Sequence, residues 1–339
     1  FKQKPAYAML RSLVGSEMCI RDRELTINPD ESSLKIVEEY KATTTKQLEN
    51  YTEENLNKLG VELRANIGST DEIKSFNDSL IKSIGLFRSE FLYIEESSEP
   101  ELDSLINSNN LLNEKFEGTI VYRTLDIGGD KQVDYLNLPQ EENPFLGVRG
   151  VRLTLENRQL FETQISSILN SNISGKVKIM FPMISGVGEL VRAKEFLFTA
   201  KRQLSEQGVN FDENIKIGCM IETPSAVTIC DMLADEVDFF SVGTNDLVQY
   251  LLAVDRINNQ IAYLYEPHHP AVVRSIMRIN DVSKQKNVKV ALCGEIAGDP
   301  HFLHLLIGLG LDTFSATGTL LPELKFFVRR FTQKEDQNI

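Results

Sequence analysis

The sequence has few of the residues on which several common classes of enzyme depend. Its 339 residues include only four cysteines and four histidines. The cysteines form no CxxC pair and no spacing typical of a zinc site, which favours a reducing compartment and predicts a cytoplasmic protein. No GxxxxGK[ST] segment occurs, so the phosphate loop of ordinary nucleotide-binding enzymes is not expected. No serine, histidine and aspartate pattern indicates a catalytic triad.

Two further absences limit the partners. The formal net charge is -13, whereas a nucleic-acid-binding domain needs a basic face, so no nucleic acid partner is expected. No run of about 18 apolar residues occurs, which predicts no membrane-spanning helix and no membrane partner. With 42% hydrophobic residues, the chain can still form a sizeable core in one large barrel or two ordinary domains.

The first 60 residues differ from the rest of the chain in their pattern of apolar and polar residues. Residues 1–23 contain "SLVGSEMCIRDR", which is similar to translated sequencing-adaptor sequence, and we predict a foreign or disordered leader there. Residues 32–57 carry one apolar stripe among many charged residues, which predicts a solvated connecting helix. The remaining chain is divided into a predicted barrel over residues 61–332 and a polar tail over residues 333–339.

From Val61 onward, short apolar runs alternate with longer segments of helical period, such as Glu189–Gln207. Strands that alternate with helices indicate a parallel sheet, and eight such units have the length of a (β/α)8 TIM barrel. A doubly wound open sheet is the alternative. The fourth run could instead be an extended loop. The eight runs predicted as strands are "VELRANIG", "IGLFRSEFLY", "TIVYRTLDIG", "FLGVRGVRL", "VKIMFPMIS", "IKIGCMIETP", "VDFFSVGTNDL" and "VKVALCGEI".

Polar side chains follow most of these predicted strands at an equivalent point. Because the carboxyl ends of the strands of a barrel share one mouth, we expect these side chains to lie together. A single arginine in such a position could be a solvated loop charge, but its recurrence on most strands argues for a site. The residues concerned are Asn66, Arg88, Arg123, Arg149, Glu222, Asn245, Asp246, Cys293 and Glu295.

Several cations belong to this predicted mouth. Arg88, Arg123 and Arg149 are placed at the ends of predicted strands two, three and four. Lys131 and Arg256 fall in loops just past predicted strands three and seven. Guanidinium groups match the geometry of phosphate and carboxylate groups, so we expect a multiply charged anion in a locally positive pocket.

Two carboxylates in the same mouth suit a cation. Glu222 and Asp246 are placed at the ends of predicted strands six and seven, and neighbouring strands lie about 4.8 Å apart. Oxygen ligands without histidine or cysteine beside them favour Mg²⁺, with Mn²⁺ possible. A salt bridge to one of the arginines is the alternative. Cys293, in "LCGEIAGDP", is either a small buried hydrophobe or a positioned proton donor.

Seven motifs in order resemble the carboxyl-terminal half of the enzyme I family, the phosphoenolpyruvate-protein phosphotransferases of the bacterial sugar phosphotransferase system. The resemblance covers about residues 24–332. Two of the motifs, "RTLDIGGDK" and "ENPFLG", separate it from the related pyruvate phosphate dikinases and phosphoenolpyruvate synthases. The motifs are "GLFRSEFLY", "RTLDIGGDK", "EENPFLGVRGVRL", "IMFPMIS", "IETPSA", "DFFSVGTNDLVQYLLAVDR" and "CGEIAGD".

This resemblance implies a barrel that binds phosphoenolpyruvate and Mg²⁺. Glu222 and Asp246 would be the metal ligands. Cys293 matches the residue that protonates the enolate of pyruvate as a general acid, with Glu295 close by. The implied substrate-binding residues are Arg88, Arg123, Lys131, Arg149, Asn245 and Arg256.

The resemblance has one large gap. The family's phosphate-accepting histidine, with its Gly-Gly-x-x-Ser-His type of segment, is absent, and "LTINPDE" resembles the chain that leaves that domain. Residues 24–60 would then be the end of the phosphohistidine domain and the linker helix. We expect a homodimer formed through the barrel that cannot by itself phosphorylate the histidine phosphocarrier protein for sugar uptake. A Mg²⁺-dependent, enolate-stabilising lyase barrel and a silent phosphoenolpyruvate-binding module are the alternatives.

Overall fold

The computed structural model divides the chain into two units, Phe1–Thr52 and Glu53–Ile339. In the first, the short strands Met18–Arg21 and Glu24–Ile27 pair antiparallel, and the former lies within the predicted leader. The helix predicted over residues 32–57 lies outside the described residues. The structure describes residues 18–21, 24–27, 60–76, 81–128, 131, 133–136, 138, 140–172 and 175–335.

Eight parallel strands of the second unit close into a barrel, in which strands adjacent in the chain are neighbours and the last pairs with the first. The predicted (β/α)8 TIM barrel is therefore confirmed. The strands are β1 (Glu62–Ile67), β2 (Ile84–Arg88), β3 (Ile120–Arg123), β4 (Val177–Phe181), β5 (Lys216–Ile221), β6 (Phe239–Gly243), β7 (Lys289–Cys293) and β8 (Thr313–Thr317).

Two of the strand assignments need correction. The predicted fourth strand, "FLGVRGVRL", is wrong: the segment forms a 3₁₀ turn over Pro144–Leu146 and enters a helix at Val151. Gly150 has a φ of 59° there, a left-handed conformation that breaks an extended run. The barrel is closed instead by β8, which the sequence analysis missed because its inward-facing residues are hydroxyl-bearing rather than apolar.

Helices connect the strands and cover the barrel. Five of the six residues predicted to line one face of a helix over Glu189–Gln207 are buried in a helix over Val187–Glu206, and the sixth, Phe196, is half-buried. Glu189 starts this helix by accepting the Ser185 and Gly186 amide hydrogens at 2.7 and 3.2 Å, which satisfies two donors at its amino end. No helix in the described part of the chain is both long enough and apolar enough to cross a bilayer.

The helices are numbered in chain order. They are α1 (Thr70–Ser75), α2 (Phe91–Ile94), α3 (Leu102–Lys115), α4 (Val151–Glu156), α5 (Arg158–Ser171), α6 (Val187–Glu206), α7 (Pro224–Thr228), α8 (Cys230–Ala234), α9 (Thr244–Leu252), α10 (Pro270–Lys286), α11 (Pro300–Gly308) and α12 (Leu321–Glu335). Helix α12 continues past residue 332, where the predicted barrel ended.

An apolar layer crosses the middle of the barrel and separates two cavities. Val121 and Phe239 of this layer line a cavity at the amino ends of the strands, while Leu86, Met220 and Cys293 line one at the carboxyl ends. Alternate residues of each strand point inward. The layer therefore forms the floor of both cavities, and the polar residues on either side of it face them.

Candidate active site

A cavity of about 380 Å³ opens at the carboxyl ends of the strands, and we call it the carboxyl-end cavity. Every site residue predicted from the sequence lines it, so the structure brings all of them together. Asn66 lines it as well. The predicted residues are Arg88, Arg123, Lys131, Arg149, Glu222, Asn245, Asp246, Arg256, Cys293 and Glu295.

The elements that carry these side chains differ in part from the prediction. Arg88 and Arg123 end β2 and β3 as expected. Arg149 does not end a strand; it lies in the long connection between β3 and β4, just before α4. Because no strand forms there, Glu222 follows β5 and Asp246 lies in the first turn of α9 after β6. The two carboxylates still come from neighbouring strands, as predicted.

Arg149 is the centre of a buried network of charges. Its side chain is only 2% exposed and contacts two carboxylates. Its Nε and Nη2 donate to the Oδ1 and Oδ2 of Asp126 at 3.0 and 3.1 Å. Its Nη1 and Nη2 donate to the Oδ1 and Oδ2 of Asp246 at 3.0 and 2.7 Å. Two bidentate pairs fix the guanidinium plane, and the cation neutralises both acids.

A third carboxylate, Glu90, binds two cations on the side of the cavity formed by β2 and β3. It is fully buried and accepts hydrogen bonds from Arg123 Nη2 at 2.6 Å and from Lys131 Nζ at 2.8 Å. Burial alone would raise the pKa of Glu90, but the charges of Arg123 and Lys131 hold it below its ordinary value. Glu90 therefore stays ionised at neutral pH.

Asp126 completes this network. It lies 3.0 Å from Arg123 Nη1 and 3.5 Å from Lys131 Nζ, in addition to its contacts with Arg149. Burial would raise its pKa, but these three cations hold it well below the usual range. The sequence analysis missed Glu90 and Asp126. The available signal was a carboxylate two or three residues after a predicted site arginine, in "FRSE" and "RTLD".

Some donors in the cavity have no acceptor. The Nε atoms of Arg88 and Arg123 are buried and make no hydrogen bond within the described residues. The Nη1 atom of Arg256 is also buried, and its contact there is a 3.4 Å ion pair with Asp246 Oδ1. Arg88 packs over the Phe91 ring at 4.8 Å, and its ion pair with Glu72 is long, at 3.8 Å. Because an unpaired buried N–H group is costly, these arginines favour an anionic ligand between them.

The formal charges that line the cavity balance. Five cationic and five carboxylate side chains face it, unlike the locally positive pocket expected from the arginines alone. The balance shifts at Glu222, whose pKa is raised to about 8 by burial and then by the negative charges of Asp246 and Asp126. A protonated Glu222 leaves a net positive charge available to a ligand at neutral pH.

The position of Glu222 is fixed from two sides. Its Oε1 accepts the Met183 amide hydrogen at 2.6 Å, and Met183 holds a left-handed φ of 57° to direct that N–H. On the next strand, a Cβ at Gly243 would lie 2.4 Å from Glu222 Oε2. Glycine at this position therefore gives the carboxylate room to face the cavity.

Cys293 is a buried thiol at the floor of the cavity. It is 1% exposed, accepts from Ser241 Oγ at 3.3 Å and donates to the Val242 carbonyl at 3.4 Å. Burial raises its pKa to about 11, so the thiol keeps its proton at neutral pH. Cys293 therefore packs in the core, as one interpretation expects, and its protonated sulfur lies at the cavity, as the proton-donor interpretation requires.

The loops after β6 and β7 are held together at the mouth. Asn245 Nδ2 donates to Glu295 Oε1 at 3.3 Å, and the Glu295 amide donates to Asn245 Oδ1 at 2.8 Å. Gly294 has a φ of 98°, and a Cβ on it would lie 2.4 Å from Thr244 Oγ1. Only glycine fits this close approach, which places Asn245 and Glu295 beside Cys293.

Comparison with known families gives a match over most of the barrel. A family described as "PEP-utilising enzyme, PEP-binding domain" matches residues 42–333. The phosphoenolpyruvate-protein phosphotransferase of Priestia megaterium is 40% identical over 321 residues, which cover 93% of this chain and 56% of that protein. The protein of the same name from Bacillus subtilis (strain 168) is 39% identical over 322 residues, with 93% and 56% covered.

The chain thus spans about half the length of these relatives. Among solved structures, a citrate lyase from Burkholderia xenovorans LB400 superposes with a TM-score of 0.50 and 13% identity, covering 79% of this chain and 76% of that one. Identity this low shows a shared barrel fold and nothing about chemistry.

Proposed function

Because the chain belongs to the family of phosphoenolpyruvate-utilising enzymes, as their phosphoenolpyruvate-binding domain, we propose that the carboxyl-end cavity binds phosphoenolpyruvate and forms pyruvate from it by phosphoryl transfer. The observation that carries this proposal is the set of buried arginine donors without acceptors, which face one cavity together with a protonated thiol. Phosphoenolpyruvate carries both a phosphate and a carboxylate for those donors.

Three arginines would hold these two anionic groups. Arg88 and Arg123 each keep a buried Nε donor without an acceptor, and the Arg256 Nη1 donor forms only a 3.4 Å ion pair with Asp246. Asn245 lies at the mouth to assist. Lys131 and Arg149 also line the cavity and, like Arg123, contact carboxylates, but neither has a buried nitrogen without an acceptor among the described residues. In this proposal those two cations supply positive charge at fixed positions, where charge on the transferring phosphoryl group is stabilised without reorganisation.

The donor set fits a divalent cation that is shared with the substrate. Glu222 and Asp246 face the same cavity, and Gly243 leaves Glu222 Oε2 accessible. Asp246 also forms the salt bridge that was the alternative, with Arg149 at 2.7 Å, so a cation would share this carboxylate with Arg149. Burial and then neighbouring negative charge raise the pKa of Glu222. No group of three potential protein ligands occurs in the described residues, so substrate oxygens would complete the coordination, as Mg²⁺ prefers. When bound, Mg²⁺ or Mn²⁺ supplies charge neutralisation for phosphoryl transfer.

Cys293 would provide the proton that completes the reaction. Loss of the phosphoryl group leaves the enolate of pyruvate. The Cys293 S–H bond breaks, a C–H bond forms at the methylene carbon, and the sulfur is left as a thiolate. Ser241 Oγ already donates to this sulfur at 3.3 Å and would stabilise the thiolate. Glu295, at the exposed mouth, is placed to exchange protons with solvent.

We extend the proposal to the longer protein of which this domain would be a part. There the phosphoryl group would pass to a histidine of another domain and then to a histidine phosphocarrier protein for sugar uptake. Residues 24–60 would form the end of that domain and the linker helix, residues 61–332 the barrel, and two barrels would form a homodimer.

The pyruvate-forming half of the reaction can be tested on this chain alone. Run in reverse, the proposed step removes a methyl proton from pyruvate. We expect the protein with Mg²⁺ to speed exchange of the pyruvate methyl protons in D₂O, followed by ¹H NMR. Cys293→Ala should lose about a hundredfold or more of this rate, the low end of a general acid–base contribution.

Cys230→Ala is the matched control. Cys230 is also buried, but it lies in α8 and does not line the cavity. It should exchange pyruvate like the unaltered protein. Equal exchange by Cys293→Ala and the unaltered protein would show that the thiol is not the proton donor. Phosphoenolpyruvate should inhibit the exchange of pyruvate protons as a competitor, and saturable inhibition would report that it binds in the same cavity.

A further inference from the structure

A second and larger cavity lies at the opposite end of the barrel. It has a volume of about 440 Å³ and is lined by the first inward-facing residues of several strands and by the loops that precede them. We call it the amino-end cavity. The branched apolar side chains that usually fill this end of a (β/α)8 barrel are replaced by cations and open volume. Its inward cations on strands are Arg64, Lys178 and Lys289.

Positive charge exceeds negative charge in this cavity. Four cationic side chains line it, against the two carboxylates of Glu62 and Asp312. Glu62 is already paired with a cation, because Arg64 donates hydrogen bonds to both of its carboxylate oxygens at 2.9 and 2.7 Å. Asp312 accepts the Thr313 hydroxyl hydrogen at 2.8 Å. The fourth cation, Lys284, reaches the Leu309 carbonyl at 3.3 Å.

Two lysines are left without a counter-charge. Neither Lys178 nor Lys289 forms an ion pair or a side-chain hydrogen bond with any residue that the structure describes. Register places Lys289 directly beside Phe239 on β6, and the Lys178 amine lies 5.8 Å from the centre of the same ring. Lys178 and Lys289 are therefore both neighbours of Phe239 in the wall of this cavity.

The surroundings of Lys178 show that these cations repel one another. Its side chain is half-buried, and burial followed by the charges of Arg64 and Lys289 lowers its pKa, against the smaller opposing effects of Glu62 and Asp238. Lys178 comes from β4, Lys289 from β7 and Arg64 from β1, so the three charges converge from separate parts of the barrel. Because an opposite charge within about 4–6 Å favours the charged form of a group, an anion among these three cations would offset their repulsion.

We propose that the amino-end cavity binds a small multivalent oxyanion, a phosphate group that is either free or esterified, at a site separate from the carboxyl-end cavity. Lys178 and Lys289 would each donate charge-assisted hydrogen bonds to it, and Arg64, oriented by Glu62, would add a third cation in the same cavity. An excess of two positive charges matches a phosphate dianion. This inference rests on the amino-end residues alone and does not depend on the proposed function.

The test is a titration followed residue by residue. In a phosphate-free buffer, ¹H–¹⁵N spectra of the whole chain would be recorded with inorganic phosphate and, separately, with glycerol 1-phosphate. We expect saturable shifts of amides that line the amino-end cavity, such as Lys289, Gly310 and Asp312. Tighter binding of one probe would tell whether the site prefers the free or the esterified group. Shifts confined to the carboxyl-end cavity, at Gly294 and Glu295, would overturn the proposal.

Matched variants assign the effect to the lysines. Lys178→Met and Lys289→Met should each weaken phosphate binding at the amino end by tenfold or more. Lys216→Met is the control, because Lys216 pairs with Lys178 in register on the next strand but binds Asp238 at 2.8 Å and does not line the cavity. Unchanged binding in both Lys178→Met and Lys289→Met would overturn the proposal. If Lys178→Met failed to fold, the comparison of phosphate binding by Lys289→Met and by the unaltered protein would still test the proposal, because Lys289 is exposed and its replacement should be tolerated.

Discussion

The two cavities of the barrel share one apolar floor but differ in the balance of charged side chains that line them. At the carboxyl end, five cations meet five carboxylates, and the key arginine is 2% exposed. At the amino end, four cations meet two carboxylates, and Lys289 is exposed. Desolvation explains the difference, because a buried charge needs a partner whereas a hydrated one does not.

The choice of cation follows the same division. The carboxyl-end cavity uses arginine forks, which Asp126, Asp246 and Glu90 hold in bidentate or shared contacts. The amino-end cavity uses lysines, whose compact ammonium groups stay hydrated on flexible stems. A fixed cationic geometry suits chemistry on a bound substrate, whereas mobile lysines suit electrostatic capture of a small anion.

Removing the arginine at the centre of the carboxyl-end network should cost the most stability. Arg149→Ala leaves the buried carboxylates of Asp126 and Asp246 without their shared counter-charge. We expect the free energy of unfolding in urea to fall by about 3–5 kcal/mol, the usual cost of breaking a buried pair. Arg158→Ala, which breaks an exposed pair with Glu162 one helical turn away, should cost only about 0.3–0.5 kcal/mol. Similar losses in the two variants would contradict the network's role.

The rate at which a cysteine in each cavity is alkylated should report how strongly that cavity excludes water. Because the Cys293 pKa is raised to about 11 from 9.0, the thiolate fraction at pH 8 should be about a hundredfold lower than for an ordinary thiol, and alkylation by iodoacetamide correspondingly slower. Raising the pH toward 11 should recover the rate. A cysteine introduced by Thr313→Cys, in the cationic amino-end cavity, should react at least as fast as a free thiol. Peptide mapping by mass spectrometry measures both rates, and fast reaction of Cys293 at pH 8 would contradict its proposed role as proton donor.

The same substitution made in each cavity should give different losses. Glu90→Gln removes a fully buried acceptor of two cations, and we expect unfolding in urea to become easier by about 1.5–3 kcal/mol, the range for hydrogen bonds to charged groups. Glu62→Gln removes an acceptor whose side chain is 47% exposed, so the loss should be below about 1 kcal/mol. Equal losses would show that the cavities are equally hydrated. If Glu90 positions Arg123, its replacement should also weaken phosphoenolpyruvate binding, whereas Glu62→Gln should not.

Much of the barrel and of the candidate site could be predicted from the sequence, and the failures have physical causes. Strands such as β4 and β5 are apolar on both faces and bounded by polar residues, which is a strong local signal. Strand β8, "TFSAT", has hydroxyls on its inward face, so only pairing with β1 and β7 identifies it. The strand ends predicted which side chains share the carboxyl-end cavity, because parallel strands in a barrel end together.

The partners within the site were less accessible to sequence reasoning. Glu90 and Asp126 matter through contacts that the chain makes across the mouth, and nothing local to "FRSE" or "RTLD" specifies which cation each acid meets. The amino-end cations were missed for a different reason. Arg64, Lys178 and Lys289 are spaced over most of the barrel, and only the closed sheet shows that all three point inward.

The smallest expected effects differ in sign between the two cavities. Lys131 contacts both Glu90 and Asp126, so Lys131→Met removes a counter-charge and should destabilise the protein by about 1–2 kcal/mol. Lys289 forms no ion pair with a described residue, and its charge lowers the pKa of Lys178. Lys289→Met therefore relieves repulsion on Lys178 and should stabilise the protein by up to about 0.5 kcal/mol. Urea unfolding at low salt measures both, and added salt should shrink the gain from Lys289→Met more than the loss from Lys131→Met, because hydrated charges are screened more strongly. If both variants lost stability, Lys289 would have a carboxylate partner, and the excess of positive charge at the amino end would be smaller than the geometry indicates.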